Sequence, residues 1–143
     1  MAEGDGALYN TFKGEVLSGE LPIVADSIRI ALMTGYTPDI DVHQGWDQIS
    51  GEECVDASYP IGGVTISGES ITVDIDNDRA YYDGSDVVFE ALGPLGAGDP
   101  DYAVLYDFDH PFKCLMGYWE IASATNGGNY TLQFSSNGIV VLT

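Results

Sequence analysis

Near the start of the chain, the apolar positions of ALYNTFKGEVLSGE recur every four residues at Leu8, Phe12 and Val16, with Leu17 widening the stripe and Gly19 supplying a stop. This spacing predicts a short helix of about 11 residues, too short to be stable alone, so its apolar face must rest on something larger. Beyond Asp26 the period changes to two. In DSIRIALMT, Ile28, Ile30 and Leu32 point one way while Arg29, Ala31 and Met33 point the other. The alternation returns in GVTISG, in SITVDID through Ile71, Val73 and Ile75, and in SDVVFEAL. Further strand-like runs are DYAVLYDF, CLMGYWEI, NYTLQFSSNG and GIVVLT. About seven or eight strands divided by Gly, Pro, Asp and Asn predict an all-β fold, an antiparallel β-sandwich with a short N-terminal helix. It forms one domain over residues 1–143. No later run offers the long helix that a parallel crossover requires.

The breaks between these runs carry their own signals. Eighteen glycines are spread through them, which excludes a collagen repeat and a flexible Gly/Ser linker. YPIGGVTISG predicts a turn or bulge at Gly62, Gly63 and Gly68. LGPLGAGDPD, where prolines and glycines interrupt any period, is the best candidate for a mobile loop or a boundary, although it is too short to imply a second domain. NGGN, between Ser123 and Tyr130, predicts a hairpin connection, and SSNGIVVLT predicts a tight turn into the last strand.

Charge adds a constraint that the pattern alone does not show. Only Lys13, Arg29, Arg79 and Lys113 are basic, against 23 Asp and Glu, for a formal charge of −19. Such a charge suggests disorder, but 45% of the residues are hydrophobic. The carboxylates therefore read as a coat on a packed fold. A chain of this length buries roughly 70% of its unfolded surface. Most of the carboxylates have no cation to pair with, so the coat repels itself in dilute salt. At about 1 M salt the Debye length falls to about 3 Å and that repulsion is screened, which points to a protein adapted to high salt. Direct nucleic-acid binding is not expected, because it needs clustered positive charge. No membrane span is expected either, since no apolar run approaches roughly 20 residues. MAEGDGALYN has acid and glycine where a targeting segment would have a basic and then an apolar region. Cys54 and Cys114 lie outside any CxxC or nucleophile motif and are expected as free, buried thiols.

Three stretches are candidates for chemistry. In DIDND, Asp74, Asp76 and Asp78 place carboxylates at alternate positions that could surround a structural Ca²⁺, Mg²⁺, Na⁺ or K⁺, although they also alternate as the wet face of a strand would. The run lacks the glycine and closing glutamate of an EF-hand loop, and no cofactor is required by the sequence. In TPDIDVH, Asp39, Asp41 and His43 share one face if the segment is extended. Pro38 and the preceding TGY favour a turn there, with Asp47 available to cap the short DQIS turn. In DFDHPFK, His110 could hydrogen-bond a neighbouring carboxylate, Asp107 or Asp109. Neither histidine is accompanied by a GxSxG elbow, an HExxH helix, a P-loop or a dinucleotide fingerprint, so no enzymatic activity is expected. Trp119 alternates onto the strand face shared with Ile121 and is expected to be buried. Trp46 sits among polar and turn residues, where it either pins a long loop to the core or anchors a partner.

Taken together, ALYNTFKGEVLSGE, DSIRIALMTGYTPDIDVHQGWDQIS, YPIGGVTISG, YAVLYD and GIVVLT resemble a family of small structural proteins of tailed-virus particles. The resemblance falls on 28–32, 36–43, Asp47, Ile49, 59–63, 102–107 and 138–143, and so spans most of the chain. It implies a noncatalytic β-sandwich of the virion, foremost a capsid decoration or surface subunit, with self-association and contacts to other virion proteins through Tyr36, Asp39, Asp41, His43 and Trp46. A tail or head–tail connector protein, or a receptor- or glycan-binding module of the virion, is the alternative implied. The acidity departs from the resemblance and points to a virus of a salt-loving archaeal host.

Overall fold

The computed structural model describes residues 6–93, 99–121, 125 and 127–143. Within them the protein is mostly β, with one short helix. The strands are β1 (Gly6–Leu8), β2 (Ile28–Met33), β3 (Val64–Thr65), β4 (Ser70–Asp74), β5 (Arg79–Asp83), β6 (Val87–Phe89), β7 (Tyr102–Asp107), β8 (Leu115–Glu120), β9 (Tyr130–Leu132) and β10 (Val140–Leu142). They form three antiparallel sheets, ordered β1-β8-β7-β2-β3, β10-β5-β4 and β6-β9. Ten described strands exceed the expected seven or eight. The two without a sequence signal are β1, only three residues long, and β5, whose RAYYD lacks apolar alternation.

The helix α1 (Asn10–Ser18) ends as its sequence predicts. Gly19 adopts the left-handed conformation at φ 78°, and the Glu20 N–H bonds the Glu15 carbonyl at 3.0 Å, closing the last turn. Its apolar stripe is narrower than expected: Phe12 is buried, but Leu17 is 89% exposed.

β2 and β7 run side by side from Ile28↔Asp107 to Met33↔Tyr102 and are buried on both faces. On one face Ile28, Ile30, Leu32, Ala103 and Leu105 join a core that includes Phe12 of α1, Tyr82 of β5, Phe89 of β6, Leu132 of β9 and Val140 of β10. On the other, Ala31, Met33, Val104 and Tyr106 pack against Tyr9, Tyr36, Trp46 and Ile49. The second cluster explains why positions that alternation assigned to an outer face are dry: the loop after β2 folds back over them. Gly63 lets the backbone pass close to β2, since at φ 85° a Cβ would fall on the Ile30 carbonyl.

One of two expected turns comes out differently. NGGN does not join paired strands, because β8 pairs with β1 and β7 while β9 pairs with β6. SSNGIVVLT does contain a tight turn, closed by Gly138 N–H to the Ser135 carbonyl at 3.0 Å, but it links strands of different sheets. The centre of LGPLGAGDPD, residues 94–98, lies outside the described residues, as does Asn126 of NGGN.

Candidate interaction surface

The loop that follows β2 is held from inside. Trp46 stacks on Tyr106 with ring centres 4.4 Å apart and planes 5° from parallel, and it is only 6% exposed. Tyr36 is buried too, its hydroxyl 2.6 Å from that of Tyr9 and 3.0 Å from His43 Nδ1. The Asp39 N–H also donates to His43 Nδ1, at 3.2 Å, so this nitrogen is an acceptor and the ring proton sits on Nε2. Asp39 Oδ1 accepts the N–H groups of Asp41 and Val42 in a local turn, and Asp41 accepts Asn10 Nδ2 at 2.6 Å. Gln48, rather than the expected Asp47, caps the 3₁₀ turn Trp46–Gln48, its Oε1 accepting N–H from Gln44 at 2.6 Å and Gly45 at 2.9 Å.

Of the five residues expected at a partner surface, Tyr36 and Trp46 are therefore core residues whose rings the fold itself uses. Asp39 and Asp41 remain exposed and His43 is half-buried. Trp119 is half-buried rather than buried.

The carboxylates of DIDND are separated by the hairpin that contains them. Asp74 ends β4 and is claimed by Arg79 Nε at 3.0 Å and Asn77 Nδ2 at 2.8 Å, which hold its carboxyl below the usual range. Asp76 and Asp78 lie in the turn, where Asp78 takes φ 51°, a left-handed conformation that Asp tolerates. Among the described residues, no three acidic, histidine or cysteine side chains gather as a metal-ligand set. Cys54 and Cys114 are free and buried.

A second acidic group lies at the end of β7. Asp107 is fully buried, and its Oδ1 accepts the N–H groups of Asp109 and His110 at 3.0 and 3.2 Å while Oδ2 has no hydrogen-bond partner. Burial, with the adjacent Asp26 carboxyl, pushes it up to about 7. His110 is 5% exposed, and its Nε2 meets Glu15 Oε2 at 2.9 Å, bracing β7 against α1. Since Nδ1 accepts the Phe112 N–H, Nε2 carries the proton toward Glu15. The expected histidine–carboxylate bond exists, but with a residue 95 positions away instead of Asp107 or Asp109.

An uncovered apolar face lies on the β10-β5-β4 sheet. The register pairs Ile71 with Tyr82, Val73 with Ala80, Tyr82 with Val140 and Ala80 with Leu142, so these side chains share one face. Tyr82 and Val140 are buried in the core, but Ile71 is 53% exposed, Val73 72% and Leu142 41%. The sheet overhangs the body. Between its inner face and α1 runs an open apolar groove of about 200 Å³, lined in part by Phe12, Val16, Leu21 and Ile71. Sequence alternation placed Ile71 and Val73 on one face of a strand. Nothing in the local pattern tells a buried apolar face from an uncovered one.

Comparison with protein-family models, with curated proteins and with solved structures gives no match.

Proposed function

We propose that this chain is a noncatalytic structural subunit of a tailed-virus particle, a capsid decoration or surface subunit that works in high salt. In this reading the sheets pack as a β-sandwich, the subunit associates with its own kind and with other virion proteins, and its location is the virion. The observation that carries the proposal is the overhanging apolar face of β4 and β10 on a chain with formal charge −19, a surface suited to assembly. The resemblance noted in the sequence supports it, because its strongest segments supply β2, β7 and the loop folded over them. Asp39 and Asp41 keep that loop hydrated and face neighbouring subunits or cations.

A glycan-binding role gains less support. Trp46, which would have to be exposed to stack on a sugar, is only 6% exposed. A tail or connector position would use the same apolar face, and particle imaging separates it from a shell position. The direct test is mass spectrometry and cryo-electron microscopy of particles from cells in which this chain is encoded beside virion genes. The reading expects repeated copies on the particle exterior, and absence of the chain from purified particles refutes it.

A further inference from the structure

We propose that β4 is a dimerisation edge, paired antiparallel with β4 of a second copy about a two-fold axis through Thr72. β4 ends its sheet, and among the described residues no strand pairs with its outer side. It carries none of the features that normally protect such an edge: Ser70-Ile71-Thr72-Val73-Asp74 contains no proline, no lysine and no bulge. Every residue from Ser70 to Val73 is exposed.

The occupant follows from the register. Pairing about Thr72 sets Ile71 against the second copy's Val73, and Val73 against its Ile71, all on the inner apolar face. Thr72 meets Thr72 on the other face, and Ser70 meets Asp74. Aliphatic and Thr–Thr cross-strand pairs are both favourable, and no like charges stand opposite one another. Asp74, the only charge in the strand, is already paired with Arg79. Two-fold symmetry places both apolar faces on the same side, so the three-stranded sheets join into one six-stranded sheet. One strand edge is a small interface, and each copy carries formal charge −19, so the dimer is weak and forms when salt screens the coats.

This gives the self-association of the proposed function a definite surface, but its test needs only the purified chain. Absence from particles would refute the virion reading and leave the dimer result standing. Sedimentation equilibrium up to about 1 mM protein should show a monomer in 0.1 M KCl and a dimer in 2 M KCl. Val73→Lys should abolish the dimer, while Leu17→Lys, at an exposed site on α1, should leave it intact.

Cysteine cross-linking checks the register. Opposed Thr72 Cα atoms would lie about 4.5–5.5 Å apart, within disulfide reach. Opposed Ser70 Cα atoms would be separated by about four residues of strand, roughly 13 Å, which is too far. Under mild oxidation in 2 M KCl, Thr72→Cys should therefore form a covalent dimer and Ser70→Cys should not. The native thiols are buried and do not interfere. A monomer at every salt concentration, a dimer unaffected by Val73→Lys, or equal cross-linking at both positions would each overturn the proposal.

Discussion

Replacing Asp107 by asparagine isolates a buried carboxyl whose ionisation the fold opposes. In the unfolded chain this group loses its proton near pH 4. In the folded protein, burial and the Asp26 carboxyl delay that loss to about 7. Between those values the folded state holds the extra proton, so this stabilisation is complete below pH 4, falls as the pH rises, and is gone above about 7. The gap from 3.8 to about 7 corresponds to a ceiling of ~4 kcal/mol. Asp26 is only half-buried, so solvent screens its charge, which reduces the effect to about 2 kcal/mol. Asparagine keeps the shape. Its carbonyl can accept the Asp109 and His110 N–H groups, and its amide can donate toward Asp26 from the position where Oδ2 has no partner. Thermal unfolding followed by circular dichroism in 2 M KCl should therefore show Asp107→Asn melting about 4–8 °C above the parent at pH 8. At pH 3 the two should nearly coincide. The other carboxylates titrate in both proteins, so the difference between the curves reports this group. A variant that melts lower at pH 8, or gains equally at both pH values, refutes the reasoning.

The acidic coat predicts that Tm rises by at least about 5 °C between 0.1 and 2 M KCl, and a flat or falling Tm would remove the case for salt adaptation. Trp46→Ala should cost about 3–5 kcal/mol in denaturant unfolding, whereas Asp41→Asn, on the exposed side of the same loop, should cost under about 1 kcal/mol; similar losses at the two sites would contradict the assignment of Trp46 to the core. Gly63→Ala should cost about 2–4 kcal/mol, because the new methyl meets the Ile30 carbonyl and the residue must hold φ 85°; a neutral result would mean that this loop does not approach β2 as described.

Period-two alternation was sufficient to find β2, β4, β7 and β8, because each spans five or six residues, long enough for the period to show. It failed for β1, too short to show a period, and for β5, where Arg79, Tyr81 and Asp83 share the outer face and only Tyr82 is fully buried. Pairing was less legible still. β6 finds β9 across more than 40 residues, and a hairpin signal such as NGGN records only local turn chemistry. The loop after β2 shows the same limit at the candidate site. Polar neighbours left Trp46 open between pinning the loop to the core and anchoring a partner, and placed Tyr36 among the partner residues; the aromatic positions of β7 and the segment before α1 supply the pockets that both fill, and those positions are distant in sequence. His110 was flagged for a carboxylate, and the one it meets lies on α1, a pairing set by packing rather than spacing.

The acidic coat and the bare edge of β4 make sense as parts of one design. Most exposed edges are protected locally, by a lysine, a proline or a bulge that spoils pairing under all conditions. In this chain the edge itself is left competent, and protection can come from charge spread over the whole surface. Two copies approaching edge to edge bring formal charges of −19 together. At about 0.1 M salt the Debye length of about 10 Å exceeds the separation of paired strands, about 4.8 Å, so many carboxylates on the facing surfaces act across the contact. At about 1 M the length is about 3 Å, and only charges in direct apposition still matter. The register centred on Thr72 has none. Salt would therefore switch off the long-range repulsion while leaving the short-range apolar contacts of Ile71 and Val73 intact. A lysine placed in β4 would block pairing at every salt concentration, whereas removing several carboxylates that flank β4 on the facing surface, but lie outside the strand, should bring dimerisation to lower salt without changing the cross-linked position. If carboxylate removal left the salt threshold unchanged, general repulsion would not be what guards the edge.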